Sequence, residues 1–334
     1  MNHRARVESC CALSLLLLLS GCGAGVWFQD VVMTSSVKNA RPVTAVAAHP
    51  IATGHFLEFL AMGDPGTGRG GQQTVAQSMG NIAAAESVKF VVILGDNFYP
   101  SGVSSIDDEQ WKEKFEEMYS AKSLQVPFYA VLGNHDYYTN PGAQVEYTKK
   151  GGRWTMPSRY YSFFSSVDET TQVQFFCLDT TPLDEEKTEE IDEGMELDST
   201  DYRAQLQWLE GQLRASSARW KVVVGHHALY SGGVHGDNKG MIERLEPIFL
   251  KYRIDLYLAG HDHDLEMKKP IKGIHYVVSG GGGTHRSVTW MDNTLYAATN
   301  MGFNRFQISP TQMQIEFYDA NGVVRYAYTI EKQK

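Results

Sequence analysis

The sequence predicts an α/β protein in which two sheets pack together with helices outside. Short, nearly continuous apolar runs alternate with amphipathic stretches over most of the chain, the pattern of strand–helix–strand units whose strands are buried on both faces. The C-terminal stretch instead alternates polar and apolar residues between turn signals, as a strand meander does. At 43% hydrophobic and 21% charged, the 334 residues carry enough apolar mass for one large core or two modest ones.

Taken in order, 56–62 reads as a strand that runs into a Gly-rich turn. A helix follows at 72–87, with Val75, Met79, Ile82 and Ala83 on one face. The run 90–94 is a buried strand, 110–119 a helix and 128–132 another buried strand. Further strands fall at 173–178, 222–224, 256–259 and 276–278, with helices at 203–213 and 241–251. The closing meander occupies 303–308, 313–318 and 323–330, punctuated by Pro310 and Asn321-Gly322. The segment 183–201 is loaded with Asp and Glu, which makes it a solvated loop. It lacks the spaced Asp/Asn-Gly pattern of an EF-hand.

Ahead of this body lies an address. Arg4 and Arg6 precede a leucine-dominated run from Cys10 to Gly21, the charged and apolar regions of an export signal. Leu19-Ser20-Gly21-Cys22 resembles a bacterial lipobox, in which Cys22 would be acylated and tether the body to a membrane. An uncleaved anchor over 1–28 is the alternative. The mixed stretch 29–51 reads as a linker, and 52–334 as one folded domain. The expected location is therefore outside the cytoplasm, secreted or held at the cell envelope. Three of the four cysteines fall in the leader, so the body keeps only Cys177, expected in the core. A net charge of −9 argues against nucleic acid as the main partner.

Five segments place hard-metal ligands just past predicted strands. They are Gly63-Asp64-Pro65-Gly66, Gly95-Asp96-Asn97-Phe98-Tyr99, Gly133-Asn134-His135-Asp136, Gly225-His226-His227 and Gly260-His261-Asp262-His263. Any one alone reads as a turn or as an ordinary core histidine. Together they would aim Asp, Asn, Tyr and His at one point, because open α/β sheets build their sites at the carboxyl ends of the strands. The glycines would let the backbone turn and approach an ion closely. The run Gly280 to Gly283 lacks the Lys-Ser/Thr of a Walker motif and reads as a turn lining the cleft.

This order of motifs is the metallophosphoesterase signature, and Tyr99, three residues after Asp96, makes the chain resemble the purple acid phosphatases. With no preceding all-β domain it resembles the compact, tartrate-resistant, mammalian-type branch. The resemblance runs from about Phe56 to the C-terminus and implies a four-layer α/β/β/α sandwich of two mixed sheets. It implies two metals bridged by Asp96. Fe(III) would take Asp64, Tyr99 and His263, and a second divalent ion, Fe(II), Zn(II) or Mn(II), would take Asn134, His226 and His261. Carboxylate and phenolate suit a trivalent iron, and imidazole suits a borderline divalent ion. His135 and His235 match histidines that contact the substrate phosphate and protonate the leaving alcohol. Two departures stand out: Pro65 replaces the usual aromatic, and Cys177 has no disulfide partner in the body. The acidic segment lies where the mammalian branch carries a loop over its site.

The activity expected is acid phosphatase action on small phosphorylated substrates or phosphoproteins. A phosphodiesterase or nucleotide-cleaving enzyme on the same site is the second reading, disfavoured by Tyr99. The protein Ser/Thr phosphatases carry Asp-Arg-Gly where Asn97-Phe98-Tyr99 stands here. A non-catalytic surface lipoprotein is the third reading, and its mark would be a lost ligand.

Overall fold

A computed structural model describes residues 56–184 and 202–332. The expected leader, the linker and nearly all of the acidic segment lie outside the described residues.

The chain lays down β1 (Leu57–Met62), α1 (Gly70–Ala85), β2 (Phe90–Leu94), β3 (Phe128–Val131), α2 (Pro141–Tyr147) and β4 (Trp154–Thr155). It then builds β5 (Tyr161–Ser166), β6 (Gln172–Cys177), α3 (Tyr202–Ala215), β7 (Trp220–Val224) and α4 (Lys239–Tyr252). Next come β8 (Leu256–Ala259), β9 (Leu265–Lys268), β10 (His275–Ser279) and β11 (Thr294–Ala298), before β12 (Gly302–Ile308), β13 (Gln312–Asp319) and β14 (Val324–Glu331). Two seven-stranded mixed sheets result, ordered β14-β13-β12-β1-β2-β3-β4 and β11-β9-β10-β8-β7-β6-β5. Strands β1 to β4 run parallel, as do β6, β7, β8 and β10, so their carboxyl ends open on one edge of each sheet. The closing meander adds antiparallel β12, β13 and β14 to the first sheet.

Side-chain alternation sorts the strands of the second sheet between two cores. Phe175, Val222, Leu256, Leu258 and Val277 face the first sheet. Their neighbours Phe176, Val223, Tyr257, Tyr276 and Val278 face the helices, against Leu209, Leu213, Leu245 and Phe249. Between the sheets Phe59 stacks on Phe306 at 4.6 Å and on Phe90 at 5.1 Å, and meets Phe175 edge-on at 5.2 Å. Helix α1 covers the other face of the first sheet with Val75, Met79 and Ala83 and is tied to it by Ser78, which donates to the Ala320 carbonyl. The arrangement is the four-layer α/β/β/α sandwich. Cys177 is buried in this core, its thiol pushed up to about 12 by burial.

The sequence reading lacks β4, β5, β9, β11 and α2, and one expected helix differs in its winding. The helix expected over 110–119 is wound as a π-helix at Lys112–Glu116. Trp111 stacks on Tyr147 and Phe115 lies edge-on to Trp154 and Phe128, so two bulky anchors on adjacent turns set the winding. Strand β9 is buried along its whole length although it reads Leu-Glu-Met-Lys, because Glu266 and Lys268 neutralise each other inside. Helix α2 starts at an Asn140-Pro141 pair that reads as a turn; Asn140 caps it by accepting from the Ala143 N–H.

One ionic cluster locks α1 to the first sheet. Arg305 on β12 reaches Glu58 on β1 at 2.7 Å, Glu316 on β13 at 2.9 Å and Glu86 at the end of α1 at 3.0 Å. Glu58 and Glu316 are buried, so removing the guanidinium strands two carboxylates. Arg305→Ala should lower the unfolding free energy by about 3 kcal/mol in a urea titration; an unchanged midpoint would show that the carboxylates do not depend on it.

Candidate metal centre

The five ligand-bearing segments follow β1, β2, β3, β7 and β8, adjacent strands in their respective sheets, and meet where the sheets' carboxyl ends face each other. Backbone bonds stitch this edge: Asp64 N–H donates to the Gly95 carbonyl at 3.0 Å, and Gly260 N–H to that of His226 at 2.9 Å. Among the described residues six non-glycines have positive φ, and four of these are Asp64 (59°), Asp96 (50°), His261 (71°) and His263 (37°). Left-handed backbone costs on the order of 1–3 kcal/mol per residue and persists only where the surroundings hold it. The ligand residues therefore make most of the turns themselves. Apart from Gly95 at φ 86°, the preceding glycines serve by their size. A Cβ on Gly133 would lie 2.2 Å from Asp96 Oδ1, and one on Gly260 2.6 Å from Asp64 Oδ2.

All seven residues expected to hold metal come together, in two groups that share Asp96. In the first, the Tyr99 hydroxyl lies 2.6 Å from Asp96 Oδ2, 2.9 Å from His263 Nε2 and 3.0 Å from Asp64 Oδ1. A phenol has one proton to give, and here two carboxylate oxygens compete for it beside an imidazole nitrogen. In the second, His226 Nε2 lies 3.1 Å from His261 Nδ1, 3.2 Å from Asn134 Oδ1 and 3.5 Å from Asp96 Oδ1. The other nitrogen of His226 is 2.8 Å from the Leu94 carbonyl, which can only accept, so Nδ1 carries the proton and Nε2 presents its lone pair to the group. Converging lone pairs from buried carboxylates, a phenol, an amide and imidazoles are a donor set that fits a pair of cations.

Titration follows from the crowding. Burial, Asp64 and Asp96 together push the Tyr99 phenol well above its ordinary range. Burial works to raise Asp64, but His263, His226 and the His261 N–H outweigh it and hold the carboxyl below the usual value. His226 is lowered by burial yet raised more by Asp96 and Asp64.

The two histidines expected to meet substrate flank this centre. His135 donates its backbone N–H to Asp96 Oδ1 at 2.9 Å, and its ring packs on Tyr99 at 4.6 Å. Its Nδ1 lies 2.7 Å from the Pro100 carbonyl, which fixes a proton there and leaves Nε2 for substrate. The ring of His235 stacks on His261 at 4.1 Å, and its backbone N–H donates to Asp262 at 3.0 Å.

His227 lies near the second group but is not suited to join it. Thr180 Oγ1 accepts the backbone N–H of both His226 and His227 and sits 2.9 Å from His227 Nδ1. With two donors already, the hydroxyl must give its proton to Nδ1, so the neutral ring carries its own proton on Nε2, toward Asp184 at 3.7 Å.

Sequence reasoning gave no role to several residues that hold the site. Asp136, inside a quoted motif, accepts from the backbone N–H groups of Asn97, Phe98 and Gly133 and so knits two ligand loops. Burial and Asp96 push it up to about 7. Asp262 and Glu266 anchor the His235 loop, Glu266 through the Ser231 hydroxyl at 2.8 Å and the Gly232 N–H at 2.9 Å. Their spacing from the final motif was the available signal. Gly280, Gly282 and Gly283 pack against Gly63, Asp64 and Pro65 and Gly281 against Asn300 to Gly302, where added Cβ atoms would clash, and His285 is exposed.

This fold and donor set define a metal-dependent phosphoesterase, and residues 57–265 match the family model described as calcineurin-like phosphoesterase. The chain is 34% identical to purple acid phosphatase 17 of Arabidopsis thaliana, over 99% of this chain and 97% of that one. It is 32% identical to tartrate-resistant acid phosphatase type 5 of Oryctolagus cuniculus, over 80% and 88%. Among solved structures it is similar to GAP50, described as the anchor in the inner membrane complex of Plasmodium. That match has a TM-score of 0.76 and 25% identity, and covers 84% of this chain and 90% of that one. The chain belongs to the purple acid phosphatases, of the compact tartrate-resistant type, and is a hydrolase, a metal-dependent acid phosphatase. Among the described residues no helix is long and apolar enough to cross a membrane.

Because Gly133 has no room for a Cβ beside Asp96, Gly133→Ala should keep its far-ultraviolet circular dichroism yet lose metal affinity by about tenfold or more, read by metal analysis after dialysis. Unaltered metal content would mean that Asp96 is not held where a metal needs it.

Proposed function

We propose that this protein hydrolyses phosphate monoesters at a two-metal centre, with Fe(III) held by Asp64, Tyr99 and His263, and Fe(II), Zn(II) or Mn(II) held by Asn134, His226 and His261. Asp96 would bridge them. The observation that carries the reading is Tyr99: its one hydroxyl faces two carboxylate oxygens and an imidazole nitrogen within 3.0 Å, an arrangement that a bound cation relieves. Ions held there would supply Lewis acidity toward the phosphoryl oxygens and a hydroxide nucleophile in mildly acidic conditions.

The remaining work falls to the chain's own groups. His135, with Nδ1 tied to Pro100, can present Nε2 to a phosphoryl oxygen without turning over. His235, set by Asp262 and stacked on His261, stands on the side of the second group, where it can hold the leaving alcohol and return a proton to it. The substrates are small phosphorylated molecules, with phosphoproteins as a further class. Export, with a lipid on Cys22 or an N-terminal anchor, fits the leader read in residues 1–28. GAP50 is described as an anchor on a similar fold; the grouping of Asp64, Asp96, Tyr99 and His263 around one point supports catalysis for this chain.

Asp96→Ala should lose both metals and reduce turnover of phenyl phosphate to background, because its two oxygens face the two groups separately. A variant that keeps two metals per chain and normal turnover would refute the bridged centre.

A further inference from the structure

Arg286 lies in the turn between β10 and β11 and is strapped to the site from two sides. Its backbone N–H donates to the carbonyl of His263 at 2.8 Å. Three residues on, the Thr289 N–H donates to the Gly232 carbonyl at 2.8 Å, in the loop that carries His235. The guanidinium reaches the His235 ring, with Nη1 at 3.1 Å from His235 Nε2. The His235 ring in turn stacks on His261. One imidazole thus separates Arg286 from the second metal group.

The partner is a poor match for this side chain. A guanidinium offers five N–H donors in a planar fork and is best satisfied by a carboxylate or phosphate taken bidentately. Arg153, Arg159, Arg305 and Arg325 each have such a carboxylate. Among the described residues no carboxylate lies within ion-pair distance of Arg286, which spends one donor on a ring nitrogen and keeps its charge exposed at the cleft. A cation beside a reaction centre with no carboxylate to compensate it is what an anionic substituent binds.

We propose that Arg286 forms a second anion subsite that selects phosphate monoesters whose leaving alcohol bears another anionic group, a carboxylate or a second phosphate. The inference rests on the phosphomonoesterase reading. It places the scissile phosphate on the metal side of His235 and the second anion on Arg286, with the leaving oxygen between them. The chemistry stays ester hydrolysis: water oxygen bonds to phosphorus, the P–O bond to the alcohol breaks, and the alcohol keeps that electron pair and takes up a proton. Arg286 adds binding energy on the leaving side and takes no part in the bond changes.

The test compares Arg286→Gln and Arg286→Lys with the wild-type full chain, metal-loaded, on phenyl phosphate, 4-carboxyphenyl phosphate and 1,4-phenylene bisphosphate. The Gln variant also frees His235 Nε2, so any loss on phenyl phosphate reads that contact, and kcat/KM on both substrates with a second anionic group should fall about tenfold or more beyond it, as expected for one lost charge-assisted contact. Lys should restore part of the loss. An equal fall on all three substrates, or no fall on any, overturns the proposal; a larger fall on only one of the two substrates with a second anionic group confines the subsite to that anion. Benzylphosphonate and 4-carboxybenzylphosphonate, titrated calorimetrically, read the same subsite without turnover. A preference for the carboxylated ligand that survives Arg286→Gln unchanged also overturns it. A wild-type protein that hydrolyses none of the esters refutes the phosphomonoesterase reading, and calorimetry then decides the subsite by itself.

Discussion

Two buried carboxylates set the terms for the rest of the molecule. Asp64 and Asp96 lie in the interior at the meeting edge of two sheets, beside a phenol that one proton cannot satisfy and imidazoles that offer lone pairs. Burying charge is tolerated only where opposite charge or hydrogen bonds compensate it. The compensation that protein atoms supply is partial: backbone N–H groups of His135 and His261 donate to the two carboxylates. What remains is a concentration of donor atoms suited to cations, and the fold is organised to hold it.

The sandwich supplies the stiffness that this requires. Parallel strands buried on both faces end at one edge, so each ligand hangs within a few residues of a rigid rail. Four ligand residues then take left-handed backbone, a strain that loose loops would release. Asp136, Asp262 and Glu266 absorb it by accepting backbone N–H groups of neighbouring loops, so that each carboxylate outside the centre orients one inside or beside it.

The parts of this design that depend on side-chain period were legible in the sequence. Phe90–Leu94 and Leu256–Ala259 read as buried strands because their apolar runs admit no solvent face, and the ligands followed them in the motifs. The expected donors within the five motifs come together for the same reason, because motif and strand end coincide; His235 lies outside them, in the loop between β7 and α4. What stayed hidden depends on tertiary partners. Glu266 and Lys268 make β9 read as surface, since a buried pair looks like two exposed charges until the pairing is known. The π-helix at Lys112–Glu116 answers to Tyr147 and Trp154, each some thirty or more residues away. The role of Thr180 in setting the His227 tautomer lies in a count of donors at one oxygen, which no sequence pattern records.

The central claim is that Tyr99 binds a trivalent iron as phenolate, against a protein environment that by itself pushes the phenol well above its ordinary range. The visible absorption spectrum of the purified protein, with iron quantified in the same sample, tests it most directly. A broad tyrosinate-to-Fe(III) charge-transfer band in the green to yellow, lost in Tyr99→Phe, is the predicted result. A colourless sample containing stoichiometric Fe(III), or a band that survives Tyr99→Phe, would contradict it.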